Sequence, residues 1–263
     1  MSYKAFRFFN HNAKGRDFVV GDIHGHFLAF EKLLWQVDFD PQKDRVFSVG
    51  DLIDRGPESE RAIEFLNFDW FHAIRGNHEQ MLLDSAANNQ ISRNWTTFNG
   101  GDWWQNIPTH LHHRIRNVIG KLPLAMEVST SKGRIGIVHA DIPTGMSWQN
   151  FVSQLDCDQD VIDQALWSRT RFKQIQMMGR TQPISGIDMI IFGHTPVQKP
   201  VRESNIIYID TGAAYPKDRG LGTLTMLEIE PQMKIHQIKT DLRAGYTVKK
   251  QRVRPAAEAF MPA

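Results

Sequence analysis

The stretch DFVVGDIHG (Asp17–Gly25) decides the fold class. Its first half is a short apolar run that reads as a buried strand, and Gly21 ends it. Its second half sets Asp22 and His24 between two glycines. The same pattern returns in RVFSVGDLIDRG (Arg45–Gly56) and again in FHAIRGNHE (Phe71–Glu79). Between the first two, Phe27–Val37 carries apolar residues at helical spacing (Phe27, Phe30, Leu33, Leu34, Val37). Between the second and third, Pro57 suits a first helical position, and Ala62, Ile63, Phe65 and Leu66 supply a buried face. A helix is expected again over Glu79–Ala87. Strand and helix alternating in this way predict a largely parallel sheet in the first half of the chain, with polar residues delivered to the carboxyl edge of its strands.

Further along, residues 92–121 carry Trp95, Trp103, Trp104 and the cluster His110, His112 and His113, and read as a helical insertion. Leu124–Thr130 and Arg134–His139 read as a hairpin, residues 146–185 as helices and loops, and Met189–Phe192, Ile206–Asp210, Leu224–Ile229 and Lys234–Lys239 as four more strands. Two of these runs also end in histidine: His139 closes GIVHA and His194 closes IIFGH. A single strand-end histidine or a lone GDxxG carries little weight. Five such elements in one order are another matter.

Their donors are two carboxylates (Asp22, Asp51), one amide (Asn77) and three imidazoles (His24, His139, His194). Oxygen and imidazole donors without thiolate suit Mn, Fe, Zn, Ni or Co rather than a cysteine-type structural zinc. Six ligands are too many for one catalytic ion that must keep positions open. They suit two ions about 3.5–4 Å apart sharing one carboxylate. Asp51, on the strand between the other two motif-bearing strands, is the expected bridge.

Composition bounds the rest. The chain has 263 residues, which at about 150 residues per domain allows one or two. Lys and Arg number 31 against 29 Asp and Glu, a net charge of +2 that gives no sign of a nucleic-acid-binding face. No apolar run approaches the roughly 18 residues of a membrane span, and the first residues lack the pattern of a signal peptide. The one cysteine, Cys157, cannot form an internal disulfide, so a reducing cytoplasmic setting is expected. One catalytic domain over 1–245 and a basic tail over 246–263 (Lys249, Lys250, Arg252, Arg254), read as a solvated end, complete the organisation.

The motifs GDIHG, GDLIDRG, RGNHE, VHA and FGHT resemble those of the phosphoprotein phosphatase family of metallophosphoesterases, and most of all its small bacterial and bacteriophage serine/threonine phosphatases. The resemblance covers about residues 17–230. The GNHEQM run, Asn99–Trp103, Leu166–Arg169, GHTP and DTGA (Asp210–Ala213) extend it. It implies an α/β sandwich of two mixed sheets flanked by helices. It implies one metal held by Asp22, His24 and Asp51 and a second by Asp51, Asn77, His139 and His194, most often Mn²⁺. His78 corresponds to the general acid, Asp54 to the carboxylate that orients it, and Arg55 and Arg169 to the arginines that grip phosphate. The implied reaction is hydrolysis of phosphoserine and phosphothreonine, with phosphotyrosine a further substrate of an open site, by a monomer. Direct attack by a hydroxide bridging the two ions is expected, without a phospho-enzyme. A related branch, the symmetrical diadenosine tetraphosphate hydrolases, is the alternative. Its members usually lack the Asp-Arg pair after the second metal aspartate and tend to read GNHD, whereas this chain has Asp54, Arg55 and Glu79. The peptide-groove and toxin-binding segments of the longer eukaryotic relatives are not seen in this sequence.

The chemistry wants these residue types. A phosphate monoester is a dianion near neutral pH, its second pKa being about 6, and forked guanidinium donors match its geometry. A departing alkoxide needs a proton, which an imidazole held by a carboxylate supplies. Cys157 has no following loop of the cysteine-phosphatase type. Several neighbours read more simply: Arg75 as a structural ion pair, His26 and the His110/His112/His113 cluster as helix surface, Trp103 and Trp104 as packing for the insertion, Asp210 as part of a turn. Arg171 is the rival to Arg169 as phosphate clamp, and Asp141 is expected to line the substrate groove.

Overall fold

The computed structural model describes residues 4–241. An edge strand β1 (Phe6–Phe9) precedes β2 (Asp17–Val20), α1 (Phe27–Gln36) and β3 (Arg45–Ser48). A 3-10 turn at Ser59–Arg61 runs into the single-turn α2 (Ala62–Phe65), followed by β4 (Phe71–Ala73) and α3 (Asn77–Asp84). The insertion holds α4 (Asn89–Phe98), a 3-10 segment at Gly101–Asn106 and α5 (Thr109–Ile119). After it come β5 (Ala125–Thr130) and β6 (Gly133–Val138), then α6 (Trp148–Gln154), α7 (Gln159–Trp167) and α8 (Thr170–Met178). The chain continues through β7 (Met189–Phe192), β8 (Val201–Glu203), β9 (Ile206–Tyr208), β10 (Thr223–Glu230) and β11 (Lys234–Lys239).

The strands make two sheets. One is ordered β11-β10-β2-β3-β4 and the other β1-β5-β6-β7-β9-β8. Strands β2, β3 and β4 run parallel, while β10 joins β2 antiparallel. In the second sheet β6, β7 and β9 are parallel and β5–β6 is the expected hairpin, with Ala125 opposite Val138. The sheets are thus mixed, as the sandwich requires, and the parallel character predicted for the first half holds for β2–β3–β4.

Side-chain alternation builds the layers. In β2, Phe18 and Val20 pack outward with Phe27, Phe30 and Leu33 of α1, whereas Val19 points between the sheets. In β7, Ile190 and Phe192 pack against the helices α6–α8 and Ile191 points inward. The inner layer joins Val19, Phe47, Val49 and Ile74 of one sheet to Met126, Ile137, Ile191 and Ile207 of the other. A strand covered on both faces reads as a continuous apolar run, which is why DFVV is buried throughout. Each such aliphatic side chain contributes roughly 1.5–3 kcal/mol by leaving water.

One local expectation fails, and two strands are not foreseen. Pro57 lies ahead of the 3-10 turn, which begins at Ser59, and does not open a helix; the helical run there shrinks to Ala62–Phe65. Strands β1 and β8 are edge strands with exposed positions, too short and too half-buried to leave a periodic signature. The basic tail over 246–263 lies outside the described residues.

Candidate metal and phosphate site

The loops after β2, β3, β4, β6 and β7 meet at one rim, and they carry Asp22 and His24, Asp51, Asn77, His139 and His194 respectively. Each of these side chains is buried. Among the described residues seven other than glycine have positive φ: His24, Asp38, Asp51, Asp54, Arg55, His194 and Ser204. Five of the seven are candidate site residues. Left-handed backbone at such residues persists only where surrounding contacts over-determine it, so the loops are held in shape for their side chains. Main-chain bonds do the holding: Ile23 N and His24 N both donate to Asp51 O, at 3.1 and 2.8 Å. Gly76 is required by close approach, because any Cβ there would collide with the Asp51 carboxylate.

Two groups of donor atoms form around Asp51, one with His24 and His78, the other with His139 and His194, the atoms of each lying within 4.8 Å of one another. Asp51 is therefore common to both, and β3 does stand between β2 and β4. Asn77 Oδ1 lies 2.8 Å from His139 Nε2 and 2.9 Å from His194 Nδ1. Asp22 is set slightly back, its carboxylate accepting from His194 N at 3.0 Å.

The imidazoles test whether a cation fits. His24 Nδ1 faces Ile53 O at 3.0 Å, His139 Nδ1 faces Val49 O at 2.8 Å, and His194 Nε2 faces Trp167 O at 3.2 Å. Each outer nitrogen therefore carries the proton and donates it to a carbonyl. Each inner nitrogen is left with a lone pair aimed at Asp51 or Asn77 oxygens. Burial holds all three rings below the ordinary histidine range, His194 at about 3, so protons do not fill the gap. Burial, with Asp210 and Asp51 nearby, pushes the Asp22 carboxyl well up, and Asp210 is raised to about 6, chiefly by burial. A buried cluster of lone pairs and crowded carboxylates with outer N–H groups tied to carbonyls is the arrangement of imidazoles that ligate metal. Divalent metal ions fit it.

His78 differs from the other three. Its Nδ1 bonds a carboxylate, Asp54 Oδ2, at 2.7 Å. Burial would lower its pKa, but Asp51 and Asp54 outweigh burial and raise it. Its Nε2 lies 4.0 Å from Asp51 Oδ2. It is thus held by a carboxylate at the edge of the cluster, where the protonated ring is favoured. Asp54 is itself fully buried and held by two indoles, Trp95 Nε1 on Oδ2 and Trp103 Nε1 on Oδ1, both at 2.6 Å. The sequence reads Trp103 as packing for the insertion and gives Trp95 no role beyond its place there, so neither contact is foreseen. The only hint was their place beside the Asn99–Trp103 run.

Glu79 was also missed as a structural element. Its Oε2 accepts from Asp51 N (2.9 Å) and Gly76 N (2.8 Å), and its Oε1 from Leu52 N (2.8 Å) and Ile53 N (3.3 Å). It splints the second motif to the third.

The arginines sort cleanly. Arg55 is exposed at the rim, with Nη1 donating to Tyr215 OH at 3.0 Å and lying 3.3 Å from His24 Nε2. It borders a cavity of about 660 Å³ whose walls include Trp103, Tyr215 and Lys217. Arg169 reaches the cluster, donating to His194 O at 3.3 Å. Arg171 is buried and ion-paired with Asp141 at 2.8 Å, so it is no rival clamp. The same pair corrects the expectation for Asp141: it is 1% exposed and lines no groove. Arg75 donates to Gln80 and to the carbonyls of Gly120 and Leu122, a structural role. Of the histidine cluster, His112 stacks on Trp104 at 4.0 Å while His110 and His113 are exposed. Asp210 accepts from Gly212 N at 2.8 Å, as a turn residue does.

Residues 18–198 match the calcineurin-like phosphoesterases. The chain is 39% identical to serine/threonine-protein phosphatase 1 of Salmonella typhimurium, over 81% of this chain and 91% of that one. It is 37% identical to serine/threonine-protein phosphatase 2 of the same organism, over 74% and 86%. Its similarity to the symmetrical bis(5'-nucleosyl)-tetraphosphatase of Delftia acidovorans, 41%, spans only 26% of this chain and 25% of that one. Among solved structures, a Saccharomyces cerevisiae serine/threonine phosphatase similar to human PP5 superposes with a TM-score of 0.63 at 14% identity, covering 90% of this chain and 84% of that chain, a likeness of fold. With its two mixed sheets, its rim of buried aspartates and histidines and these matches, the chain belongs to the calcineurin-like metallophosphoesterase family.

Proposed function

We propose that this protein is a metal-dependent phosphoprotein phosphatase acting on phosphoserine and phosphothreonine, with phosphotyrosine accepted as well. The observation that carries the reading is the Asp54–His78 pair, 2.7 Å apart, beside a cluster suited to divalent cations, with Arg55 and Arg169 at its edge. The extended likeness to the two Salmonella phosphatases supports it, against a quarter-length likeness to the dinucleotide hydrolase.

In this reading Asp22, His24 and Asp51 would hold one ion and Asp51, Asn77, His139 and His194 the other, with Mn²⁺ taken as the occupant from among the Mn, Fe, Zn, Ni and Co that a thiolate-free set suits. The ions, when bound, neutralise phosphoryl oxygens and activate water. Arg55 and Arg169 bind the phosphate dianion through forked donors and set its orientation. Water adds to phosphorus in line as the ester P–O bond breaks. His78 gives its proton to the departing serine or threonine oxygen, and Asp54 keeps the ring aimed and stabilises its cation. Glu79 keeps Asp51 and Gly76 in register. The catalytic domain is taken as 1–245, acting as a cytoplasmic monomer without nucleic acid or membrane. Among the described residues no helix is long and apolar enough to cross a membrane.

The test is phosphate release by metal-stripped protein supplied in turn with Mn²⁺, Zn²⁺, Ni²⁺ or Mg²⁺, on phosphoserine, phosphothreonine and phosphotyrosine peptides. Diadenosine tetraphosphate is run alongside and scored by ADP. Metal-dependent turnover of the peptides with the dinucleotide slow is expected. Turnover of the dinucleotide alone refutes the phosphoprotein reading.

A further inference from the structure

We propose that Trp95 and Trp103 of the insertion are positioning residues for ester hydrolysis, acting through Asp54 to aim His78. The proposal rests on the phosphatase reading given above.

Asp54 follows β3 in a loop with φ of 73° there and 70° at Arg55, a backbone that turns the carboxylate away from the strand. Nothing in the sheet fixes its plane. The insertion does. Trp95 Nε1 and His78 Nδ1 both donate to Oδ2, and Trp103 Nε1 donates to Oδ1. Three N–H groups on two oxygens leave the carboxylate one orientation, and that orientation sets the ring plane of His78. Indoles are neutral donors, so they orient the carboxylate without adding a cation that would compete with the imidazolium. Simple packing does not call for this. Trp95 is the one buried residue of α4, and its ring meets Trp103 edge-on at 6.5 Å and Trp104 at 6.0 Å. Apolar contact alone would be served by phenylalanine, whereas both indole nitrogens converge on one acid. The insertion is further tied down by Arg55 N donating to Gly100 O at 3.3 Å, where φ of +79° and the nearby Arg55 backbone exclude a side chain.

The test uses Trp103→Phe, which keeps an aromatic ring at a half-buried position and removes the donor with part of the ring. With the metal-loaded enzyme, kcat on a phosphoserine peptide should fall about 10- to 100-fold, the usual effect of removing a partner that orients a functional group. On p-nitrophenyl phosphate, whose leaving group needs no proton, the loss should be no more than about 3-fold. KM should hold within about 2-fold on both. Equal losses on both esters, or no loss on either, overturn the proposal. A second readout is independent of turnover. In the metal-free protein, Asp54→Asn should move two indole N–H resonances, one of them the resonance that Trp103→Phe deletes. Resonances that stay in place overturn the clamp. A wild type that hydrolyses neither ester defeats the phosphatase reading, and the indole resonances still decide whether Asp54 holds both rings.

Discussion

Replacing Glu79 by Gln changes one atom and should unfold the rim of the site. The two carboxylate oxygens of Glu79 each accept two main-chain N–H groups, Asp51 and Gly76 on one and Leu52 and Ile53 on the other. In glutamine one oxygen becomes an NH₂ group. Whichever way the amide turns, two buried N–H groups then face a donor. An unsatisfied buried donor costs about 1–3 kcal/mol, so the substitution should destabilise by about 4 kcal/mol, a large part of the 5–15 kcal/mol typical of a domain. At about 2–4 °C per kcal/mol for a chain of this size, the midpoint of thermal unfolding should drop by about 8–16 °C. The assay is urea and thermal unfolding of the metal-stripped protein, with the exposed Glu60→Gln as the control for loss of one surface charge. Divalent-ion affinity, read by calorimetry, should weaken as well, since Asp51 N is one of the freed donors. Stability within 1 kcal/mol of wild type, with metal affinity unchanged, would refute the splint.

Three other outcomes follow from the same geometry. His78→Asn should keep its metals and lower kcat by about 10²–10⁴-fold on phosphoserine peptide, with a much smaller loss on p-nitrophenyl phosphate; a uniform loss across leaving groups, measured by steady-state kinetics, contradicts the general-acid role. Arg171→Ala should destabilise by about 3–5 kcal/mol because it strands buried Asp141, whereas Arg169→Ala should leave urea unfolding unchanged and raise KM. His72, half-buried between the rings of Phe9 and Phe47, is pushed down to about 4, mainly by burial. The unfolded chain binds its proton first, so stability falls as pH drops below about 6.5 and the loss is complete near 4. Wild type should lose about 2 kcal/mol relative to His72→Phe between pH 7.5 and pH 5, and parallel urea-unfolding curves for the two proteins across that range would contradict it.

The parts of the fold that the sequence made legible are those where burial is two-sided. FVV in β2, VF in β3 and MIIF in β7 are apolar without alternation because both faces are covered, and each reads as part of a strand. β1 and β8 escaped because they are short, largely uncovered edge strands and their pairing is decided by tertiary contacts: Phe6 pairs with Ala125, far along the chain. The ligand set was legible because glycine-flanked acids and histidines recur at strand ends. Asp141 misled because its place after His139 suggested the cleft, and only the tertiary ion pair with Arg171 reveals that it is buried. Trp95, Trp103 and Glu79 were opaque for the opposite reason. Their contacts are made by one indole nitrogen in each tryptophan and by both carboxylate oxygens of Glu79, aimed at a loop distant in sequence, and composition and periodicity register only their bulk or charge.

That contrast says where the site's precision comes from. Asp51 touches almost everything: its carboxylate lies 3.4 Å from His139 and 3.5 Å from His24, and it accepts from His78 N at 3.0 Å. Yet its own placement owes little to its side chain. Its carbonyl takes the N–H groups of Ile23 and His24, and its N–H goes to the Glu79 carboxylate, so the loops after β2, β3 and β4 are joined through the Asp51 main chain and the Glu79 side chain before any ion arrives. His139 and His194 come from the other sheet, and the apolar layer containing Val49, Ile137 and Ile191 sets their distance from Asp51. The cluster therefore reports on sheet packing as well as loop geometry. Substitutions in the inner layer and in the loops should not add independently, because both act on one shared spacing, and residues coupled through a shared group depart from additivity by about 0.5–3 kcal/mol. An ion held by Asp51, Asn77, His139 and His194, ligands drawn from both sheets, would in turn tie the sheets together, since a ligand held only by the native state stabilises that state by mass action.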